Sequence, residues 1–76
     1  MEDKKSIIVD VREEYEFKEK IIFENSINIP LSDLYRRVDF LFEFDIVYLC
    51  CATRKRAEFA KKLLYDEGLD EVIVIY

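Results

Sequence analysis

The sequence predicts an α/β domain built on a small parallel sheet of about four strands with helices on both faces. Three observations point there. Short apolar segments rich in Ile and Val alternate with more polar segments of helical length. The apolar segments are nearly continuous, as expected of strands covered on both sides. One Gly and one Pro in 76 residues leave little room for long flexible loops.

Each element has its own signal. Ile7, Ile8, Val9, Asp10 and Val11 read as the first strand. Residues 13–20 are charged, with Tyr15 and Phe17 interspersed, and suggest a short helix. Residues 26–30 form a brief second strand ended by Pro30, the only proline. Ser32 is placed to cap a helix with Leu34, Tyr35, Val38 and Leu41 on one face. Residues 40–44 fit either a helix end or a loop. Residues 46–50 form the third strand. The strongest helix runs over residues 56–67, with an apolar stripe of Phe59, Ala60, Leu63 and Leu64 and a stop at Gly68. Residues 72–76 form the last strand. There is no internal repeat, low-complexity tract or linker, so residues 1–76 are expected to make one domain.

Composition narrows the function. A chain of this length buries only about 60–65% of its unfolded surface, and its 51% hydrophobic content argues against disorder. His is absent, which removes a Cys-His dyad and a histidine switch, and two adjacent Cys alone give a zinc site too few of its usual ligands; neither metal nor cofactor is expected. A net charge of −5 disfavours nucleic acid and anionic membrane. The charge is uneven, with five cations and one Glu between Cys51 and Lys62. The polar opening, residues 1–6, does not read as a secretory signal. Two adjacent cysteines are poor partners for a structural disulfide, so a reducing cytoplasm is the expected compartment.

The chemistry concentrates at Cys51. It follows the apolar run Ile46-Val47-Tyr48-Leu49-Cys50 and precedes Ala52, Thr53, Arg54, Lys55 and Arg56. A sulfur placed where a buried strand ends and a helix begins faces unpaired N–H groups and the positive end of the helix dipole. The cations draw in anionic substrates. Parallel α/β sheets hold their ligands beyond the carboxyl ends of the strands, where Cys51 lies. An isolated Cys is more often a small buried hydrophobe, and Cys50 retains that reading.

In order along the chain, four segments resemble the rhodanese sulfurtransferase family. They are Ile8-Val9-Asp10-Val11-Arg12-Glu13 with Glu16-Phe17, then Ile27-Asn28-Ile29-Pro30-Leu31, then Val47-Tyr48-Leu49-Cys50-Cys51 with Arg56-Ala57 and Leu63-Leu64, and last Val72-Ile73-Val74-Ile75-Tyr76. The resemblance spans about residues 7–76. It implies sulfur transfer, with Cys51 accepting a sulfane sulfur as a persulfide and passing it to a nucleophilic acceptor. Ala52, Thr53, Arg54, Lys55 and Arg56 are then the substrate-binding cradle. The donor is expected to be a small anion such as thiosulfate or a persulfide-bearing protein, and the acceptor a thiol or a cyanide-like nucleophile. Asp10 and Arg12 match structural positions and are expected to form a scaffold pair. The implied sheet order is last strand, Cys51 strand, first strand, second strand.

The chain also departs from the family pattern. Arg54 stands where the family loop commonly has Gly, which predicts strain or a different loop. Residues 21–26 replace a His-Ile-Pro-Gly-Ala stretch, and the flanking terminal elements are absent, as in a shortened member. These departures keep a second reading open, a non-catalytic rhodanese-like module that binds or regulates a partner. A third comes from spacing. Cys50 and Arg56 satisfy Cys-x5-Arg, a phosphate-wrapping loop, with Asp10 and Glu13 as candidate acids for a phosphatase.

Overall fold

The computed structural model describes residues 4–76, so the expectation for residues 1–6 falls partly outside the described residues. Four strands form one parallel sheet: β1 (Ser6–Asp10), β2 (Ser26–Asn28), β3 (Ile46–Cys50) and β4 (Val72–Val74). Their order is β2-β1-β3-β4, as the resemblance implies. Ile7 pairs with Val47 and Val47 with Val72, which places the two longest strands at the centre. Parallel strands need crossovers, and the helices supply them. These are α1 (Glu14–Glu19), α2 (Leu31–Leu34), α3 (Val38–Leu41) and α4 (Arg54–Asp66), with a 3-10 turn, Tyr35–Arg37, between α2 and α3.

Alternation along the strands decides what is buried. Val9, Val47, Leu49 and Val72 share one face and are buried against Leu34, Val38 and Leu41 of α2 and α3 and Ala57, Ala60 and Leu64 of α4. Each fully buried Leu contributes roughly 1.5–3 kcal/mol relative to exposure. The opposite face is less covered. Its row Ile8, Tyr48, Ile73 grades from half-buried to exposed, with Ile73 43% exposed.

Three local expectations need correction. Pro30, not Ser32, precedes the first turn of α2. Tyr35 is 64% exposed, while Leu34, Val38 and Leu41 carry the buried face. Phe59 is 60% exposed, and Ala57 takes the inward place instead. Ala57, Ala60 and Leu64 recur at i, i+3 and i+7 and form the inward stripe, and Phe59 lies to one side of it. Small Ala57 and Ala60 let the helix approach the sheet closely, and Phe59 turns outward. The ambiguous residues 40–44 resolve as the end of α3 and a turn, with Phe40 and Phe44 stacked edge to face at 5.3 Å.

The stop at Gly68 holds. Its φ of 108° lies in the left-handed region. The Gly68 N–H donates to the Tyr65 carbonyl and the Leu69 N–H to the Leu64 carbonyl, which closes the helix and turns buried Leu69 into the core. A Cβ on Gly68 would lie 3.3 Å from the Phe42 ring. Gly68→Ala is therefore expected to destabilise the domain by about 1–2 kcal/mol through conformational strain. A denaturant midpoint equal to wild type would contradict this.

Candidate functional site

The carboxyl ends of β1 and β3 bring the chemistry together. Asp10 pairs with Cys50 in register, so the two side chains share a face. Asp10 is fully buried and Arg12 nearly so. Arg12 Nε donates to both Asp10 oxygens at 3.0 Å, and Nη2 donates to Oδ2 at 2.8 Å. Nη2 also donates to the Lys20 carbonyl at 2.6 Å, tying the end of α1 down. The Arg12 backbone N–H returns to Asp10 Oδ1 at 2.9 Å. Asn28 of β2 donates to the carbonyls of Asp10 and Arg12 at 3.0 and 2.9 Å. Hydrogen bonding to Asp10 raises the Arg12 guanidinium above its ordinary value, despite burial. Asp10 is thus committed to the scaffold, and the candidate acid Glu13 is exposed at the start of α1.

Cys50 lies beside that pair. Burial first, and then the Asp10 charge, pushes its thiol up to about 12. The folded chain keeps a proton that the unfolded chain releases near the ordinary value of about 9, so this group's contribution to stability is lost as pH rises from about 9 to about 12. Cys50→Ala should remove that alkaline loss. Denaturant midpoints of both proteins, compared on either side of about pH 9, should converge with rising pH. A constant difference would contradict the assignment.

Cys51 turns to the other side. It is 0% exposed and joins the core cluster that includes Ala57 and Leu49. Its N–H donates to the Tyr76 carbonyl at 3.2 Å, and the Ile75 N–H donates to the Leu49 carbonyl at 2.9 Å, so the ladder continues past β4 beside the thiol. With Cys51 fully buried, a substrate reaches the sulfur only if the surroundings move.

The cradle differs from its expected form. Only Ala52 and Thr53 are loop. Thr53 caps α4, its Oγ1 accepting from the Arg56 N–H at 3.3 Å, and Arg54 is the first helical residue. No non-Gly residue among those described has positive φ. The strain expected at Arg54 is therefore absent, because the helix starts early enough to make a left-handed turn unnecessary. The first-turn N–H groups of Thr53, Arg54 and Lys55 have no intrahelical acceptor. They mark the positive end of a 13-residue helix just after Cys51.

The cations are less free than their sequence suggests. Ala52, Thr53, Arg54 and Lys55 are exposed, and Arg54 lies 3.6 Å from Glu58 one turn along α4. Arg56 alone is half-buried, and Glu16 of α1 holds it, Nη1 to Oε1 at 3.3 Å and Nη2 to Oε2 at 3.4 Å. The bond to Glu16 raises the Arg56 guanidinium, and the nearby Cys51 adds to that. The Glu13 N–H first, then Arg56, lowers the Glu16 carboxyl. Sequence reading missed Glu16 as the partner of Arg56. Its only local signal is its place three residues after Glu13, where its side chain accepts the Glu13 N–H at 2.9 Å.

A family model described as "Rhodanese-like domain" matches residues 1–76. The chain is 35% identical over 66 residues to a protein of Bacillus subtilis (strain 168) described as "Putative sulfur carrier protein YrkF". That match covers 87% of this chain and 35% of the relative, so the chain spans about a third of the relative's length. Among solved structures it superimposes on a "rhodanese with anions from E. coli" with a TM-score of 0.80 at 22% identity, covering 91% of this chain and 82% of that one. It also superimposes on a "NAD-Dependent Persulfide Reductase from A. fulgidus" with a TM-score of 0.76 at 29% identity, over 99% of this chain and 13% of the other.

Proposed function

The chain belongs to the rhodanese-like domain family, and on that premise we propose that it takes up a sulfane sulfur on Cys51 as a persulfide and passes it to a nucleophilic acceptor. The observation that carries this reading is the placement of Cys51 at the carboxyl end of a central parallel strand, directly before the unpaired N–H groups of α4. The thiolate attacks the outer sulfur of the donor. A new S–S bond forms, the donor's own S–S bond breaks, and the leaving group departs with the electron pair. An acceptor thiolate or cyanide then attacks the outer sulfur and returns Cys51 to its starting state. Neither half needs a general base of the histidine type. Ala52, Thr53, Arg54, Lys55 and Arg56 shape the approach, with the positive end of α4 directly after Cys51 and exposed cations that draw in an anionic donor.

Two features support the family reading over a phosphatase. The thiol of Cys50 is held protonated beside Asp10, and Asp10 is engaged by Arg12 rather than free as an acid. The name of the Bacillus relative supports a carrier role, in which sulfur is held between two partners rather than turned over quickly. A reducing, cytoplasmic setting suits a free thiol of this kind. No helix among the described residues is long and apolar enough to cross a membrane. The test is intact mass after incubation with thiosulfate or with a hydropersulfide. Uptake of one sulfur atom, mapped to Cys51, is the expected result. No uptake from either donor would leave the module with a binding role only.

A further inference from the structure

We propose that Glu16 is a specificity-determining residue, which occupies the Arg56 guanidinium and so biases Cys51 against free sulfur oxyanions and toward persulfide sulfur carried on a thiol. This rests on the sulfur-transfer reading of Cys51. Glu16 and Arg56 lie 40 positions apart, one on α1 and one in the first turn of α4. Both carboxylate oxygens meet the guanidinium. Glu16 is also fixed from behind, since its Oε1 accepts the Glu13 N–H at 2.9 Å. The pair is partly shielded, with side-chain exposures of 34% for Arg56 and 24% for Glu16. This carboxylate is pre-oriented, unlike that of a long side chain sampling solvent.

An anionic donor must therefore compete with a carboxylate already in place. The competitor belongs to the same chain, so it acts at a high effective concentration. Arg54 is a poorer substitute, because its side chain is exposed to solvent and lies 3.6 Å from Glu58 of the same helix. Thiosulfate needs a cation twice, first to hold its sulfonate end and then to stabilise the departing sulfite. In that reaction the Cys51 thiolate bonds to the sulfane sulfur, the S–S bond breaks, and sulfite leaves with the pair. A hydropersulfide, R–S–SH, places no oxyanion on Arg56. Cys51 bonds to the outer sulfur, the S–S bond breaks, R–S⁻ leaves with the pair, and the proton stays with the transferred sulfur. Glu16 thus penalises the first donor and leaves the second nearly untouched.

Glu16→Gln tests this, because Gln keeps an oxygen for the Glu13 N–H and removes only the charge. The variant should lower KM for thiosulfate by about tenfold with kcat changed by less than about threefold, the mark of altered ground-state binding. Sulfur uptake from the uncharged hydropersulfide of 2-mercaptoethanol should change by less than about twofold. Sulfate, an unreactive dianion, should bind the variant about tenfold more tightly in an NMR titration, and adding Arg56→Ala should erase that gain. Glu16→Ala should show the same direction should Glu16→Gln fold poorly. Sulfur uptake from both donors with unchanged thiosulfate KM and sulfate affinity overturns the role of Glu16 and leaves the sulfur-transfer reading standing. No uptake by any protein removes that reading and the donor preference with it, while tighter sulfate binding would still establish Glu16 as the competitor at Arg56.

Discussion

Arg12→Ala is expected to cost about 3–5 kcal/mol of folding stability, because it strands a buried carboxylate without its partner. Asp10 is fully buried and receives three hydrogen bonds from the Arg12 side chain and one from the Arg12 backbone. The side-chain bonds vanish in the variant, as does the anchor on the Lys20 carbonyl. At the usual stability per residue, a domain of this size holds only about 4–11 kcal/mol in all. The variant should therefore lose roughly a third or more of its stability and show a clearly lowered midpoint in a denaturant titration. Replacing both partners with apolar residues of similar volume should be far milder than the single change. A single variant that melts within a few degrees of wild type would show that water reaches Asp10 and shares its charge.

Cys51→Ser should reduce sulfur uptake at least about a hundredfold, because a hydroxyl is a far weaker nucleophile than a thiolate towards sulfane sulfur. Cys50→Ser should leave most of the uptake intact. The two residues are adjacent, yet they face opposite environments. Cys51 packs with Ala57 at the start of α4, and Cys50 sits beside Asp10. Peptide mapping after donor treatment should place the added sulfur on Cys51 alone. Sulfur on Cys50, or phosphatase activity that needs Cys50, would return the advantage to the longer Cys-x5-Arg loop.

Much of the fold was legible because its signals are local. The apolar runs at residues 7–11 and 46–50 define the two central strands, and Gly68 marks the end of α4. The Asp10–Arg12 pair was legible through its resemblance to a known opening motif. The start of α4 was misplaced because three consecutive cations read as a loop, whereas Thr53 is a competent N-cap and Arg a good helix former. Phe59 left the predicted stripe for a separate reason, since its bulk made it look like core while the small Ala57 is the residue that faces inward. The bond between Glu16 and Arg56 could not be read locally at all. It depends on how two crossovers converge above the sheet, and no pattern within either helix encodes the meeting.

The burial of Cys50 beside Asp10 would have a further effect, on the lifetime of any sulfur held on Cys51. A persulfide is vulnerable to a thiolate next door, which attacks its inner sulfur, expels hydrosulfide and closes a disulfide. Cys50 is the nearest such neighbour in the chain. Burial beside Asp10 keeps it a thiol up to about pH 12, and a bridge between adjacent residues would strain the backbone as well. Burial of Cys50, with Asp10 adding to it, would therefore insulate a sulfur on Cys51 from its own chain, and such a sulfur would leave by the intermolecular route.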